Sequence, residues 1–469
     1  MGRSRSFAIY SGLPVWAQNA VCSVVGLKIR HERYSRTFRD TLDFLCKSQW
    51  WSLSDLQAYQ DEQLSRVIHH AYRSVPYYRR VMNERGLKPL DIRTTADLVK
   101  LPILTKSMVR ELGAELLSSE VPPRLRVHGH TGGTTGMSLQ LYSDKQTQAR
   151  QWAVWWRHRM RFGLETNDEF IAFAGRDVVP LNCMGPPIWR RNFPMHQTYV
   201  SIHHMTKSNM PVLIDYLQHR NVRFYSGYPS AVYLVAQYLL DKNICLVNAP
   251  AVTVLGAETL LPHQRRAMEK AFGGNITDQY GASEQCGNIS ECEKGQYHVD
   301  MEFGHIEFAP IEDTSPNVRR IICTGFWNKA MPLIRYDIGD LATLPTKEAV
   351  CSCGRESTVV ENIDGRIESY IITPDGRQAG RLDFIFKDSR FIEEAQFVQD
   401  EISSVRINVV RSKGFLPVHE SELLVDLRKY LGGEIQLEIE YVSEIPRASN
   451  GKFRQIVSTV SDNQLRPLS

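Results

Sequence analysis

Long hydrophobic runs are missing from this chain: nowhere in its 469 residues do about 18 apolar residues follow one another without a break. A membrane-spanning helix is therefore not expected. A surplus of one charge is missing too. Against 52 Asp and Glu stand 56 Lys and Arg, a formal net charge of +4. That is too small and too evenly spread to single out nucleic acid as a partner. The 9 cysteines lack the dense, regular spacing of a secreted disulfide scaffold, so a reducing, cytoplasmic compartment is the expectation. No G-x-S-x-G and no H-E-x-x-H occurs, which removes the common hydrolase and zinc-protease classes. No internal repeat or low-complexity tract is present. What remains, 42% hydrophobic and 23% charged, is the composition of a globular enzyme.

The most informative stretch is RVHGHTGGTTGMSLQLYSD, from Arg126 to Asp144. Its centre, Thr131-Gly132-Gly133-Thr134-Thr135-Gly136, is flanked by apolar and β-branched residues, so it reads as a tight turn between two strands. Glycines let a ligand approach the main chain closely, and exposed N–H groups with threonine hydroxyls suit phosphate oxygens. No Lys-Ser or Lys-Thr follows the last glycine and the G-x-G-x-x-G spacing is absent, which excludes a Walker A loop and a dinucleotide fingerprint. An ordinary Gly-rich hairpin remains the plain alternative.

The chain's organisation follows from periodicity. Leu53, Leu56, Tyr59, Leu64, Val67 and Ile68 recur at helical spacing, with Ser52 or Ser54 as cap and Pro76 as terminator. Residues 1–95 form a mostly helical lead-in. Met1 to Ile29 is moderately apolar but carries Arg3, Arg5, Gln18 and Asn19, unlike a signal peptide. It reads as a helix packed on the body, with weak membrane contact as the lesser reading. The Trp-rich run 146–161 reads as a helix whose Trp152, Trp155 and Trp156 serve the core. From 165 to 280 apolar strands alternate with helices, which predicts an α/β sheet with parallel strands. Ligands usually sit at the ends of such strands. Short strands and turns occupy 295–365, and the composition shifts after Asp364-Gly365-Arg366. The expectation is a large, multi-subdomain N-terminal domain with parallel-rich sheets (1–366) and a small, mobile α+β domain (367–469).

Four further segments carry chemistry. In Asp278-Gln279-Tyr280-Gly281-Ala282-Ser283-Glu284 a strand ends in a glycine turn, and its carboxylate can coordinate Mg²⁺ on phosphates. The tyrosine ring offers a flat face to a purine. In Pro332 to Asp340 an apolar strand delivers Asp340, whose carboxylate can accept from both ribose hydroxyls. Ile363-Asp364-Gly365-Arg366-Ile367-Glu368 falls at the composition shift. Near the C-terminus, Ser449-Asn450-Gly451-Lys452 places an ammonium at a loop tip, able to bridge a carboxylate and a phosphate. Taken singly, each is a turn with a solvated charge.

Their order is more specific. The Gly/Thr loop, YGASE, RYDIGD, DGRIE and a C-terminal GK together resemble the adenylate-forming superfamily of acyl-CoA synthetases and ligases. SQWWSLSDLQAYQ, HAYRSVPYYRR, LPILTK, YSGYPSAV and NKAMPLIRYDIGD look like its phenylacetate–CoA ligase branch, especially the capsular-polysaccharide (CapK-type) subgroup. The match runs from about Leu13 to Ile456. The resemblance implies that Thr131 to Gly136 wrap the β- and γ-phosphates of ATP, that Gly256-Ala257-Glu258 and Asp278 to Gly281 line the adenine with Ser283 nearby, and that Glu284 holds Mg²⁺. Asp340 would bind the ribose with Arg366 beside it, Lys452 would be the adenylation lysine, and Glu368 would be the hinge. Glu368 departs from the family's usual Asp or Lys, and Met137-Ser138 departs from a nearby Lys.

The implied reaction is ATP-dependent activation of a carboxylic acid, aryl or acyl, as its adenylate. The acyl group then passes to CoA or another thiol or amine acceptor, plausibly in polysaccharide or secondary-metabolite biosynthesis. Adenylyl transfer to a hydroxyl acceptor and a non-catalytic scaffold stay open, as does a homodimer. His203-His204 is not an H-H-x-x-x-D acyltransfer motif, because Ser208 stands where Asp is required. In the family that stretch borders the acyl pocket, which implies His204 as one wall and Tyr225, Ser226, Gly227 and Tyr228 as the other. Cys292, His298, Cys351 and Cys353 offer three thiolates and an imidazole, a fit to structural Zn²⁺. Cys286 is an alternative ligand, and four reduced thiols with a surface histidine are the alternative to any metal.

Overall fold

The computed structural model describes residues 9–130, 139–176, 178–180, 183, 185–206, 208–311, 315–347, 350–366, 371–374, 378–379, 391–446 and 453–460. Thr131 to Gly136, Glu368 and Lys452 lie outside the described residues.

The lead-in is helical. Helix Leu53–Ser74 begins where the Ser52 hydroxyl accepts from the Asp55 N–H at 3.1 Å, satisfying one of its orphan donors. It stops at Val75, because the residue before a proline is pushed out of helical geometry, and Pro76 opens the next helix, Pro76–Glu84. Leu56, Leu64, Val67 and Ile68 are buried, the apolar face that the spacing predicted. Helix Lys145–Arg161, capped by Asp144 through the Thr147 N–H, buries Trp156 and edges Trp152 against Trp155.

Nine described strands form the main sheet, in the spatial order Val359–Val360, Tyr297–Val299, Asn288–Glu291, Asn275–Gly281, Val252–Gly256, Phe224–Gly227, Phe170–Ala174, Gln197–Ser201 and Trp189–Asn192. The five from Asn275–Gly281 to Gln197–Ser201 are parallel. Phe170–Ala174 is an unbroken apolar run and Val252–Gly256 is interrupted only by Thr253, because helices Pro229–Lys242 and Pro262–Phe272 cover one face of the parallel strands and helix Lys145–Arg161 the other. At each flank the pairing turns antiparallel. The alternation expected for 165–280 is therefore present, and the architecture is a mixed α/β fold.

A four-stranded antiparallel sheet follows, Gly304–Pro310, Val318–Gly325, Tyr336–Thr343 and Asn362–Arg366. Residues from Ile371 onward have a core of their own. Phe397, Ile407, Val409 and Leu427 are fully buried there between helix Pro417–Leu431 and the strands 392–401, 404–411, 436–441 and 456–458. No helix among the described residues is long and apolar enough to cross a membrane.

Candidate functional site

The carboxyl ends of the parallel strands line up on one rim, where open α/β sheets bind ligands. Strand Phe224–Gly227 ends beside Phe173, and Val252–Gly256 pairs Gly256 with Gln279 of the next strand. Gly256 has no room for a side chain, since a Cβ there would meet the Gln279 carbonyl at 2.7 Å. Ala257 then takes φ 68°, and Gln285, directly after Glu284, takes φ 57°. Left-handed backbone at non-glycine residues costs of order 1–3 kcal/mol each and clusters at functional sites.

Glu258 ties three parts of the chain together. One carboxylate oxygen accepts from the Ser230 N–H at 3.1 Å, at the start of helix Pro229–Lys242. The other accepts from the Phe453 N–H at 2.8 Å. Phe453 follows Lys452 directly, so the backbone next to that lysine is held on the rim by residues 195 positions away. Thr259 lies against Gly365, whose added Cβ would meet its hydroxyl at 2.9 Å. The Gly-Ala-Glu and Asp-Gly-Arg segments therefore touch.

The Tyr280 hydroxyl donates to Asp340 at 2.7 Å, joining two motifs that are 60 residues apart. Burial, then the Asp340 charge, holds the phenol well above its ordinary range. Asp340 and Arg366 are register partners across adjacent strands. Glu284 is buried and lines a cavity of about 60 Å³ with Gly129, Ser143, Ser283, Asn328 and Met331. Gly129 and Ser143 belong to the hairpin Val127–His130/Gln140–Ser143, whose pairing of His130 with Gln140 closes the base of the Gly/Thr loop. Asn328, missed in the sequence, braces this hairpin. Its amide donates to the Tyr142 carbonyl at 2.9 Å and its oxygen accepts from the Ala330 N–H at 3.0 Å. Its position in NKAMPLIRYDIGD was the available signal. A larger concavity of about 350 Å³, lined by Tyr77, Arg80, Arg85 and Met108, contains none of the candidate site residues.

Several expectations are corrected. Tyr225 is not a pocket wall: its ring is fully buried against Phe173 and Phe272, because strand alternation turns it towards helices Pro229–Lys242 and Pro262–Phe272 while Ser226 faces the other way. Gly227 and Tyr228 remain at the strand's end, where the Tyr228 N–H donates to the Phe173 carbonyl at 3.0 Å. Asp278 and Gln279 also point inward. The Tyr297 hydroxyl donates to Asp278 at 3.1 Å, and the Gln279 amide donates to Ser290 at 3.2 Å. Burial, with the nearby Glu291 charge, pushes the Asp278 carboxyl up to about 6. Their backbones, not their side chains, shape the rim. His204 is buried, with Nδ1 2.7 Å from the Ser201 hydroxyl, and burial lowers its pKa.

At the antiparallel flank, donor atoms of Cys292, His298, Cys351 and Cys353 all lie within 4.8 Å of one another. Cys292 and Cys351 sulfurs are 3.7 Å apart, and the Cys353 sulfur is 3.4 Å from His298 Nε2. A tetrahedral zinc centre sets its ligands about 3.8 Å apart for two sulfurs and about 3.5 Å for sulfur and nitrogen. The His298 Nδ1 faces the Ser357 hydroxyl at 3.2 Å, the outer partner that orients a ligating imidazole. The four residues fit the metal. Cys286 does not belong to them, being buried in the main core instead.

The fold is the one found in adenylate-forming CoA ligases. A 2-hydroxyisobutyryl-CoA ligase in its postadenylation state, bound to an acyl-AMP, superposes with a TM-score of 0.68 at 15% identity, covering 88% of this chain and 91% of that one. The same ligase in its thioesterification state gives 0.53. Residues 371–459 match the CapK C-terminal domain family. Protein CapK of Staphylococcus aureus is 25% identical over 459 residues, 96% of this chain and 99% of its own. Phenylacetate-coenzyme A ligase of Thermus thermophilus is 26% identical over 337 residues, 68% of this chain and 72% of its own. The chain is thus similar over nearly its whole length to Protein CapK, and over two thirds of it to phenylacetate-coenzyme A ligases.

Proposed function

We propose that this protein is an AMP-forming ligase that activates a carboxylic acid as its acyl-adenylate and passes the acyl group to CoA or another thiol or amine. The single observation that carries this is Glu258, which accepts from the large sheet at Ser230 and from the backbone beside Lys452 at once. It holds the small-domain loop on the rim that also bears the Tyr280–Asp340 pair and the Glu284 cavity.

In this reading Tyr280 and Asp340 receive the adenosine, and Thr131 to Gly136 wrap the terminal phosphates. Glu284 and the cavity it lines suit Mg²⁺, which supplies charge neutralisation on the phosphates when bound. The acid's carboxylate attacks the α-phosphorus, forming the acyl–O–P bond as the bond to pyrophosphate breaks. Two anions meet in that step, and Lys452 offsets their repulsion where it peaks. Residues 367–469 form a domain that swings about Glu368, withdrawing Lys452 so that the acceptor can displace AMP. Ser226, Gly227 and Tyr228, at the strand end, and His204 border the acyl group. A place in surface-polysaccharide or secondary-metabolite biosynthesis rests on likeness to CapK.

The test is acid-dependent ATP–pyrophosphate exchange over a panel of carboxylic acids, followed by product mass with a panel of acceptors. Exchange with release of free AMP supports the reading. A product heavier by an adenylyl group makes the protein an adenylyltransferase, and absence of ATP binding by calorimetry with Mg²⁺ makes it a scaffold. Cys292, His298, Cys351 and Cys353 would bind one structural Zn²⁺, a closed site without an open position. Metal analysis of protein prepared without an affinity tag is expected to find it, and less than about half an equivalent overturns it.

A further inference from the structure

Helix Val15–Arg33 has one face fixed to the body and another open. Gln18 is buried, accepting from the Arg190 guanidinium at 2.5 Å and donating to the Leu13 carbonyl at 2.9 Å. Gly26 abuts Asn192 so closely that a Cβ would sit 1.9 Å from its side-chain oxygen, and Arg30 donates to the Pro194 carbonyl. The open face is apolar. Trp16 is 74% exposed, Val24 67% and Leu27 58%. With Ala20, also exposed, they fall within an arc of about 80° at about 100° per residue. The neighbouring turn adds a second aromatic: Phe193 is 55% exposed, and its N–H donates to the Ser23 hydroxyl. Scattered exposed apolar residues are ordinary, but a contiguous band built from two elements marks an interaction surface.

The charges around this band are mainly basic, with Glu169 3.7 Å from the Arg191 guanidinium as an exception. Before Glu32 the sequence contains Arg3, Arg5, Lys28 and Arg30 and no Asp or Glu. Lys28 and His31 are exposed on the helix, and the Arg191 guanidinium lies 4.5 Å from the centre of the Phe193 ring. Glu32 is turned aside to Lys145, at 2.8 Å.

We propose that this face seats the protein on an anionic lipid bilayer surface, lying in the interface without crossing it. Trp16, Val24, Leu27 and Phe193 would enter the boundary between headgroups and acyl chains, with Lys28 and Arg191 towards the lipid phosphates. Apolar area plus basic charge is the combination that holds an interfacial helix. A second copy fits less well, because a twofold contact centred on this band would set Lys28 and Arg191 against cations of their own kind. The proposal is independent of the reaction and adds a place of action to it.

Co-sedimentation of the full chain with vesicles of phosphatidylcholine, with and without phosphatidylglycerol, tests it. The wild type is expected to bind the anionic vesicles and to be released by high salt. The triple variant Trp16→Ser/Val24→Ser/Leu27→Ser is expected to lose roughly tenfold or more of that binding at an unchanged melting temperature. Lys28→Glu, which leaves the apolar band intact, is expected to weaken it on anionic vesicles alone. Wild type that stays in the supernatant with anionic vesicles overturns the proposal, as does equal binding by both variants. Elution of the wild type as a dimer that the triple variant turns into a monomer also overturns it, assigning the face to a second copy.

Discussion

The antiparallel flank and the parallel centre of the nine-stranded sheet use polar residues in opposite ways. At the flank, polar groups answer one another on the spot. The Arg157 guanidinium, fully buried, donates to Asp300 at 2.5 Å and to Glu302 at 2.6 Å. Asn288 and Ser290 also donate to Asp300, and the Cys292–His298–Cys351–Cys353 cluster closes on itself. At the rim of the centre, Glu258 and Glu284 reach outward to the Phe453 backbone and a cavity, and Tyr280 reaches Asp340 on the neighbouring four-stranded sheet. Backbone at Ala257 and Gln285 is held in left-handed geometry to present them. One region satisfies its polar groups internally, while the other presents them on the rim where the proposed substrates would sit.

That contrast can be broken in order of expected effect. Arg157→Met strands two buried carboxylates, and loss of one partner of such a pair costs about 3–5 kcal/mol. Urea unfolding should show it, and a loss below about 1 kcal/mol would erase the distinction. Lys452→Ala should lower acid-dependent exchange by about 10²–10³-fold, with ATP binding by calorimetry and the unfolding midpoint both retained. Exchange at the wild-type rate would remove Lys452 from the chemistry.

Asp278 sharpens the comparison through pH. Its carboxyl is raised from the ordinary 3.8 to about 6, so between those values the folded protein keeps a proton that the unfolded chain releases. Stability attributable to this group is therefore greatest at low pH and falls as pH rises through that window. Asp278→Asn should flatten the slope of unfolding free energy against pH between about 4 and 6, by up to about 3 kcal/mol across it. An unchanged slope would show that Asp278 is ionised throughout. Glu258→Ala has the smallest predicted effect. Losing an acceptor for two N–H groups should slow exchange roughly tenfold with little change in stability, and a large drop in the unfolding midpoint would move Glu258 to the structural side.

Much of this was legible in the chain itself. Periodicity located the capped helix from Leu53 and the strand–helix alternation of 165–280, because both patterns are local consequences of burying one face. The motif order pointed to the fold of adenylate-forming ligases, which the structure shares, and the spacing of three cysteines and a histidine marked a cluster that the fold brings together. Side-chain direction was not legible. Tyr225, Asp278 and Gln279 occupy motif positions yet are buried, since both faces of these central strands are covered by other parts of the chain.

The sequence by itself determined the elements and pointed to a family likeness and the candidate residues, since helix caps, apolar periods and glycine turns act over a few positions. Only the tertiary structure decided which of those residues meet. Tyr280 finds Asp340 and Glu258 finds Phe453 because sheet order and register, set by packing across the whole chain, fix distances that no local pattern encodes.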